Sequence, residues 1–249
     1  MQQSLLGILV WGSCLTAVLA ADPAPAEAPR YEVRELHDPN GIGKFYLGRE
    51  IARVMGHQGI AWLERSNREE EERLSLLVKL LDLQPGMVVA DIGAGSGVIA
   101  ALMAPQVLPE GEILAVDIQP EMLDALVAKA RLLGISNIVP VLGTEQSPQL
   151  PEESVDLAIM VDVYHEFDFP YEMLKEIAQS LKVGGRVAFV EYRKEDRRVP
   201  IKEVHKMSER QVQLEASQSG LNLVWKETRR ELPWQHLIIF EKVAPGDLH

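Results

Sequence analysis

The stretch MVVADIGAGSGVIAALM, Met87 to Met103, decides the fold. An apolar run ends at Asp91, three glycines follow at alternate positions, and a second apolar run comes next. This order predicts a buried strand, a glycine-rich turn and a helix, which together open a nucleotide-binding α/β fold. Glycine lets the backbone turn sharply and lets a ligand approach it closely.

The spacing of the glycines separates two cofactor classes. A dinucleotide fingerprint has the form G-x-G-x-x-G, whereas this chain has D-x-G-x-G-x-G and places Val98 where the third glycine of that fingerprint would be. The carboxylate of Asp91 would repel a pyrophosphate and would suit a cationic ligand. S-adenosylmethionine (SAM) carries an ammonium and a sulfonium group, so the turn favours SAM over NAD.

A second acidic residue supports a ribose-containing ligand. Residues 111–116 are predicted to form the second strand, and Asp117 follows it. A carboxylate at this place can accept hydrogen bonds from both ribose hydroxyls. NAD and SAM sites share this feature, so it does not choose between them. The alternative is that Asp117 only caps the next helix, although Gln119-Pro120 already resembles a helix start.

Four stretches of the chain resemble the class I SAM-dependent methyltransferases, in the order and spacing of that family. They cover roughly residues 70–195, and the run Tyr164-His165-Glu166-Phe167 looks most like the quinone-biosynthesis and arsenite methyltransferase branch. The stretches are VVADIGAGSG (88–97), LAVDIQPEML (114–123), SVDLAIMVDVYHEF (154–167) and LKVGGRVAFVEY (181–192).

The resemblance implies a doubly wound, Rossmann-like α/β fold. Its sheet has seven strands and is mostly parallel, with an antiparallel last strand and an N-terminal helical lid over the cofactor. Lys44–Ala52 is expected to form a short helix of that lid. One amphipathic helix is predicted to begin at the solvated acidic run Glu69–Glu72 and to bury Leu74, Leu77, Val78 and Leu81 on one face.

The resemblance also assigns residues to the ligands. Thr144 stands where many family members carry an acidic residue next to adenine, and Glu145 follows one position later. Arg49 and His57 are further candidates to face the pocket, although ordinary packing explains each of them as well. The residues implied for the cofactor are Asp91, Gly93, Ala94, Gly95, Gly97, Asp117, Ile118, Thr144, Glu145 and Asp162, and those implied for the methyl acceptor are Tyr46, Tyr164, Glu166 and Tyr192.

His165 and Asp162 are the candidate catalytic residues. An imidazole titrates near neutral pH and can accept a proton from an acceptor that must lose one. The alternative is that His165 only packs along the cofactor. No cluster of His, Asp or Glu has the spacing of a metal site in the sequence, so no metal is expected.

The N-terminal residues differ from the rest of the chain. Residues 5–19 are uncharged and mostly apolar and small residues follow, so 1–20 is predicted to be a secretory signal peptide and the mature protein to be exported. The alternative is a membrane anchor formed by 5–19. Residues 21–36 contain Pro23, Pro25 and Pro29 and are predicted to be a tether before a methyltransferase domain over 37–249.

Composition narrows the function further. The net charge of −12 argues against a nucleic-acid partner, and no basic run suggests an anionic membrane. The leading hypothesis is therefore a SAM-dependent methyltransferase acting on a small molecule. The alternatives are a non-catalytic SAM- or nucleotide-binding protein of the same fold and, less favoured by the glycine spacing, an NAD(P)-dependent reductase.

Overall fold

The computed structural model describes residues 29–246, and its centre is a seven-stranded sheet in the order β6-β5-β4-β7-β8-β10-β9. The strands β4 to β8 run parallel, whereas β10 runs antiparallel to both of its neighbours. The predicted doubly wound fold with an antiparallel last strand is thus confirmed. The strands of this sheet are β4 Val88–Ile92, β5 Glu112–Asp117, β6 Ile138–Leu142, β7 Val155–Val161, β8 Leu181–Tyr192, β9 Leu223–Arg229 and β10 Gln235–Lys242.

Helices cover both faces of the sheet. One face packs on α3, α4 and α5, and the other packs on α6 and α7, so two apolar clusters enclose the central strands. The central strands are buried on both faces, which explains their nearly continuous apolar sequence. The helices are α1 Ile60–Leu63, α2 Arg68–Glu72, α3 Leu74–Leu80, α4 Val98–Met103, α5 Pro120–Leu133, α6 Pro170–Ser180 and α7 Glu209–Ala216.

The segment before β4 contains a second, three-stranded antiparallel sheet of β1 Tyr31–Val33, β2 Gly41–Tyr46 and β3 Arg49–Ala52. The predicted helix over Lys44–Ala52 is therefore wrong. Leu47 and Gly48 both have positive φ, 47° and 86°, and join β2 to β3 in a two-residue turn. Such turns match the twist of paired strands, and the buried side chains of β2 and β3 favour a hairpin over a helix.

Two further boundaries differ from the sequence prediction. Tyr31–Val33 pairs with β2, so these residues of the predicted tether belong to the small sheet. The single helix predicted over 69–81 divides at Arg73, whose φ is 55°. The signal peptide and residues 21–28 of the tether lie outside the described residues. Within 29–246 no helix is both long and apolar enough to cross a bilayer.

Candidate active site

The turn after β4 forms the floor of a cavity at the carboxyl edge of the parallel strands. Gly93 and Gly95 line it, with φ values of 72° and 55°. A Cβ on Gly93 would lie 2.5 Å from Cγ2 of Val163, and one on Gly95 would lie 2.8 Å from Cδ1 of Leu63. Any side chain at these positions would therefore enter space that the cavity wall already occupies.

Asp117 connects this turn to the end of β5. Its Oδ2 accepts a hydrogen bond from the backbone N–H of Gly95 at 2.9 Å, and its Oδ1 accepts one from that of Gln119 at 2.9 Å. Burial raises the pKa of the Asp117 carboxyl, while these backbone donors act against that rise. The carboxyl group lies on the cavity wall with both oxygens held in place, as a fixed acceptor for ligand hydroxyls requires.

Asp91 lies behind the turn, and its side chain is almost fully buried. Its Oδ2 has no hydrogen-bond partner. Burial and then the neighbouring Asp117 raise the pKa of Asp91 from 3.8 to about 7. An unpaired buried carboxyl oxygen is costly, and functional sites are where such costs concentrate.

A short segment between β3 and α1 covers the cavity. The backbone N–H of Met55 donates to Oε2 of Glu166 at 3.1 Å, and that of His57 donates to Oε1 of Gln119 at 2.8 Å. Nε2 of Gln119 in turn donates to the carbonyl oxygen of Met55 at 3.0 Å. The predicted lid is therefore present, although extended chain and short helices form it instead of a helix over Lys44–Ala52.

The cavity encloses about 930 Å³ of empty space, part of which is open to solvent. Most of its wall is apolar, and the polar groups converge from the ends of β4, β5 and β7, a pattern typical of small-molecule sites. The wall consists of Val54, Met55, Leu63, Ile92, Gly93, Gly95, Val116, Asp117, Ile118, Gln119, Met122, Glu145, Val161, Asp162, Val163, Glu166, Phe167, Asp168 and Met173.

Asp162 stands at the end of β7 in an unusual backbone conformation, with a φ of 52°. Its Oδ2 accepts a hydrogen bond from Nε2 of Gln235 at 3.2 Å, and its buried Oδ1 has no partner. Burial, with the nearby Glu72 and Glu191, raises the pKa of Asp162 well above its ordinary value. A strained residue with an unpaired carboxyl oxygen on the cavity wall is a strong candidate for ligand contact.

The sequence predicts that the acidic run Glu69–Glu72 is solvated, but in the structure Glu72 of this run is buried. Its side chain is buried, pairs with Arg65 and Arg68, and accepts a hydrogen bond from the hydroxyl of Tyr192 at 3.0 Å. These contacts connect α2 to the end of β8, one residue before the left-handed Arg73 that separates α2 from α3.

His165 lies beside the cavity but does not line it, because its side chain is buried. Its Nδ1 is 2.6 Å from Oε2 of Glu191, its Nε2 is 3.2 Å from Nδ1 of His205, and its carbonyl oxygen accepts a hydrogen bond from Arg49. Burial lowers the pKa of His165 to about 3 and raises the pKa of Glu191 to about 8. A low pKa and the lack of cavity contact disfavour His165 as a general base near neutral pH.

The three tyrosines predicted to bind the acceptor are elsewhere. Tyr46 packs on Tyr31, Tyr164 packs between Phe167 and Phe189, and Tyr192 bonds to Glu72. None of the three lines the cavity, because their large apolar rings fill the core instead.

Other predicted residues support the site without lining the cavity. The N–H groups of Gly93 and Ala94 both donate to the carbonyl oxygen of Val116, and Gly97 precedes α4. The hydroxyl of Thr144 accepts from the backbone N–H of Ser147 at 3.0 Å, so it stabilises its own turn beside Glu145. The guanidinium of Arg49 pairs with Glu215 at 2.7 Å.

Comparison with known proteins is consistent with this geometry. Residues 90–189 match the model of a family described as a methyltransferase domain. The match begins in β4 and ends in β8, and thus spans the glycine turn, Asp117 and Asp162. The cofactor that this domain indicates is SAM.

Individual relatives agree with the domain assignment. The chain is 32% identical over 123 residues to the uncharacterized methyltransferase YcgJ of Bacillus subtilis, a match that covers 49% of this chain and 47% of that protein. It is 32% identical over 114 residues to a protein-L-isoaspartate O-methyltransferase of Methanopyrus kandleri, covering 46% and 48% of the two chains. The chain thus spans about half the length of the curated relatives it matches.

A solved structure extends the likeness to the fold. The crystal structure of a SAM-dependent methyltransferase from Aquifex aeolicus superposes with a TM-score of 0.71 at 24% identity and covers 76% of this chain and all of that one. The seven-stranded sheet and its flanking helices therefore have the same fold as that structure.

The residues at the floor and wall of the cavity fit SAM. Gly93 and Gly95 provide a floor without side chains, Asp117 offers a buried carboxyl group on the wall, and Asp91 has an unpaired oxygen behind the turn. The sequence does not indicate the apolar wall residues Val54 and Leu63, since no motif marks them. In the sequence Gln119 indicates only a helix start, yet its side chain fastens the lid.

Proposed function

We propose that this protein is a SAM-dependent methyltransferase that acts on a small-molecule acceptor. The observation that carries the proposal is the lidded cavity at the carboxyl edge of the sheet, with the glycine floor and Asp117 on one side and Asp162 and Glu166 on the other. SAM would supply an electrophilic methyl group on its sulfonium.

The protein's own contribution to such a reaction is positioning. Methyl transfer from a sulfonium is an in-line displacement, and a site accelerates it mainly by holding the reacting groups close and aligned. The lid, fastened to Gln119 and Glu166, also covers part of the cavity. Glu166 lines the cavity and is a better-placed candidate for contact with an acceptor than the buried His165.

The lid supports a small acceptor. Met55 and Val54 form part of the cavity wall, so the lid leaves less room beside the cavity for a folded protein than for a small molecule. A protein acceptor is the second candidate, because relatives such as the Methanopyrus kandleri protein are named for methylation of L-isoaspartate in proteins.

A turnover assay separates the two candidates. The full chain is incubated with SAM and with quinols, phenols, thiols, arsenite or an isoaspartyl peptide, and S-adenosylhomocysteine is quantified. We expect turnover with a small acceptor that falls by about a hundredfold in Asp162→Asn, with Asp124→Asn, on the exposed face of α5, as the control. Turnover with the peptide alone would overturn the small-molecule proposal. SAM binding without any turnover would favour the non-catalytic alternative.

We also propose export, with cleavage near Ala21. The uncharged apolar run over 5–19 and the small residues after it support this proposal. The intact mass of the protein from its own host tests it. A mass that corresponds to a chain starting near Ala21 is expected, whereas a retained Met1 would favour a membrane anchor.

A further inference from the structure

Beside the cofactor cavity, the fold brings together two imidazoles and a carboxylate from distant parts of the chain. His165 and Glu166 belong to the 3₁₀ turn after β7, and His205 ends the 3₁₀ turn Glu203–His205 after β8. The sequence predicted no metal site, because 40 residues separate His205 from His165. We propose that these three side chains bind one first-row transition-metal dication, with Zn²⁺ as its representative.

The distances between the candidate ligand atoms fit such an ion. Nε2 of His165 and Nδ1 of His205 are 3.2 Å apart, and Oε1 of Glu166 lies 3.5 Å from Nδ1 of His205 and 3.9 Å from Nε2 of His165. Ligand atoms about 2.0–2.1 Å from a tetrahedral zinc ion lie about 3.3–3.4 Å from one another. The three atoms therefore need to move by only fractions of an ångström to share one ion.

Each of two ligands is already oriented by a second partner. Nδ1 of His165 contacts Oε2 of Glu191 at 2.6 Å, which directs Nε2 towards the proposed ion. Oε2 of Glu166 accepts the hydrogen bond from Met55, which leaves Oε1 facing the two imidazoles. Histidine ligands of metals generally bond a carboxylate or carbonyl through their other ring nitrogen, and Glu191 supplies that partner here.

The ligand set itself suits a dication. Glu166 supplies a carboxylate that lies 3.9 Å from Nε2 of His165 and 3.5 Å from Nδ1 of His205. The nearby carboxylate of Glu215 is already paired with the guanidinium of Arg49. Imidazole nitrogen suits zinc and related ions, whereas Mg²⁺ and Ca²⁺ prefer sites made of oxygen alone.

The open side of the site has access to solvent and adjoins the cavity. The side chain of His205 is 23% exposed, and Glu166 lines the cavity wall. Two histidines and one carboxylate leave at least one coordination position open, as in catalytic zinc sites. An acceptor with an oxygen or nitrogen donor could occupy that position. This role in acceptor binding rests on the proposed methyl transfer, whereas the binding of the metal itself does not.

Metal titration without SAM tests the site. The full chain is freed of metal with a chelator and titrated with ZnCl₂ in a calorimeter. We expect one ion per chain with a Kd below about 1 µM. His205→Ala and Glu166→Gln should each weaken binding by at least about tenfold, and Glu191→Gln should do so by about 10–100-fold although it touches no ion. MgCl₂ should not compete.

The control variant is His37→Ala, because His37 also lies within contact distance of a carboxylate, Glu50, but belongs to the small sheet. It should leave zinc binding unchanged. Cobalt gives a second readout, because tetrahedral Co²⁺ absorbs visible light strongly and His205→Ala should abolish that band. Wild-type protein that binds no Zn²⁺, or an equal loss in His37→Ala, would overturn the proposal and leave the His165–His205 contact as a hydrogen bond alone. Failure to bind SAM would not affect either result.

Discussion

Replacement of Asp91 by asparagine tests how much the buried carboxyl group beside the glycine turn destabilises the folded protein when it ionises. The carboxyl of Asp91 is buried and Oδ2 is unpaired, so its ionisation costs free energy in the folded protein. The rise of its pKa from 3.8 to about 7 is about three units, which at about 1.36 kcal/mol per unit corresponds to about 4 kcal/mol. An amide of the same shape carries no charge and avoids this cost.

The sign of the pH dependence follows from linkage. Well below pH 3.8 the carboxyl is protonated in both the folded and the unfolded chain, and no ionisation cost arises. As the pH rises towards about 7, the unfolded chain ionises first, so wild type loses stability relative to Asp91→Asn. Between pH 5 and pH 8 the free energy of unfolding of the variant, minus that of wild type, should grow by about 2–3 kcal/mol.

Urea unfolding of the full chain at several pH values measures this difference. The buried amide of Asp91→Asn can lack hydrogen bonds and lower the stability of the variant by about 1–3 kcal/mol. This loss is the same at every pH, so it does not change the slope of the difference against pH. The control is Asp124→Asn, at an exposed position of α5, which should give a difference that does not change with pH. A flat trend for Asp91→Asn would refute the claim that Asp91 is destabilised by its burial.

Three other substitutions test separate parts of the structure. Gly93→Ala should destabilise the protein by about 1–3 kcal/mol in urea unfolding, because Gly93 has a positive φ and an added Cβ would clash with Val163. Adding Val163→Ala should restore only the part of the loss that comes from the clash, and full restoration would contradict the role of φ. Asp117→Asn should weaken the binding of SAM and of S-adenosylhomocysteine by the same factor, about 10–100-fold in a binding titration, because both ligands contain the ribose. A loss of affinity confined to SAM would mean that Asp117 interacts with the sulfonium instead. Arg49→Met should lower the free energy of unfolding by about 3–5 kcal/mol, measured in urea or by heating, because it leaves Glu215 buried without its partner. Adding Glu215→Leu should recover much of this loss. A double variant that is as unstable as Arg49→Met, or less stable, would contradict a coupled pair.

The sequence predicted those parts of the molecule that local patterns govern. The apolar strands, the glycine turn and the amphipathic helices indicate an α/β fold with Asp117 at the end of a strand. The seven-stranded, mostly parallel sheet is what the resemblance to the methyltransferase family implies. The hairpin over Lys44–Ala52 differs from the predicted helix because its turn places Leu47 in a left-handed backbone conformation, which no sequence pattern indicates for leucine.

The interior contacts of the site could not be predicted, because they join residues far apart in the chain. The sequence predicts that Tyr164, beside His165, contacts the acceptor, yet its ring packs against Phe189 in the core. The pairing of Arg49 with Glu215 spans 166 positions. Side chains next to each other in a motif thus face different surroundings once the strand ends and its chain turns.

Binding of SAM itself is the most direct test of the central claim. The full chain is titrated calorimetrically with SAM, S-adenosylhomocysteine and NAD under the same conditions. The structure predicts one site per chain for SAM and for S-adenosylhomocysteine, and no detectable binding of NAD, because the turn carries Asp91 and lacks the dinucleotide glycine spacing. Binding of NAD without binding of SAM would contradict the account.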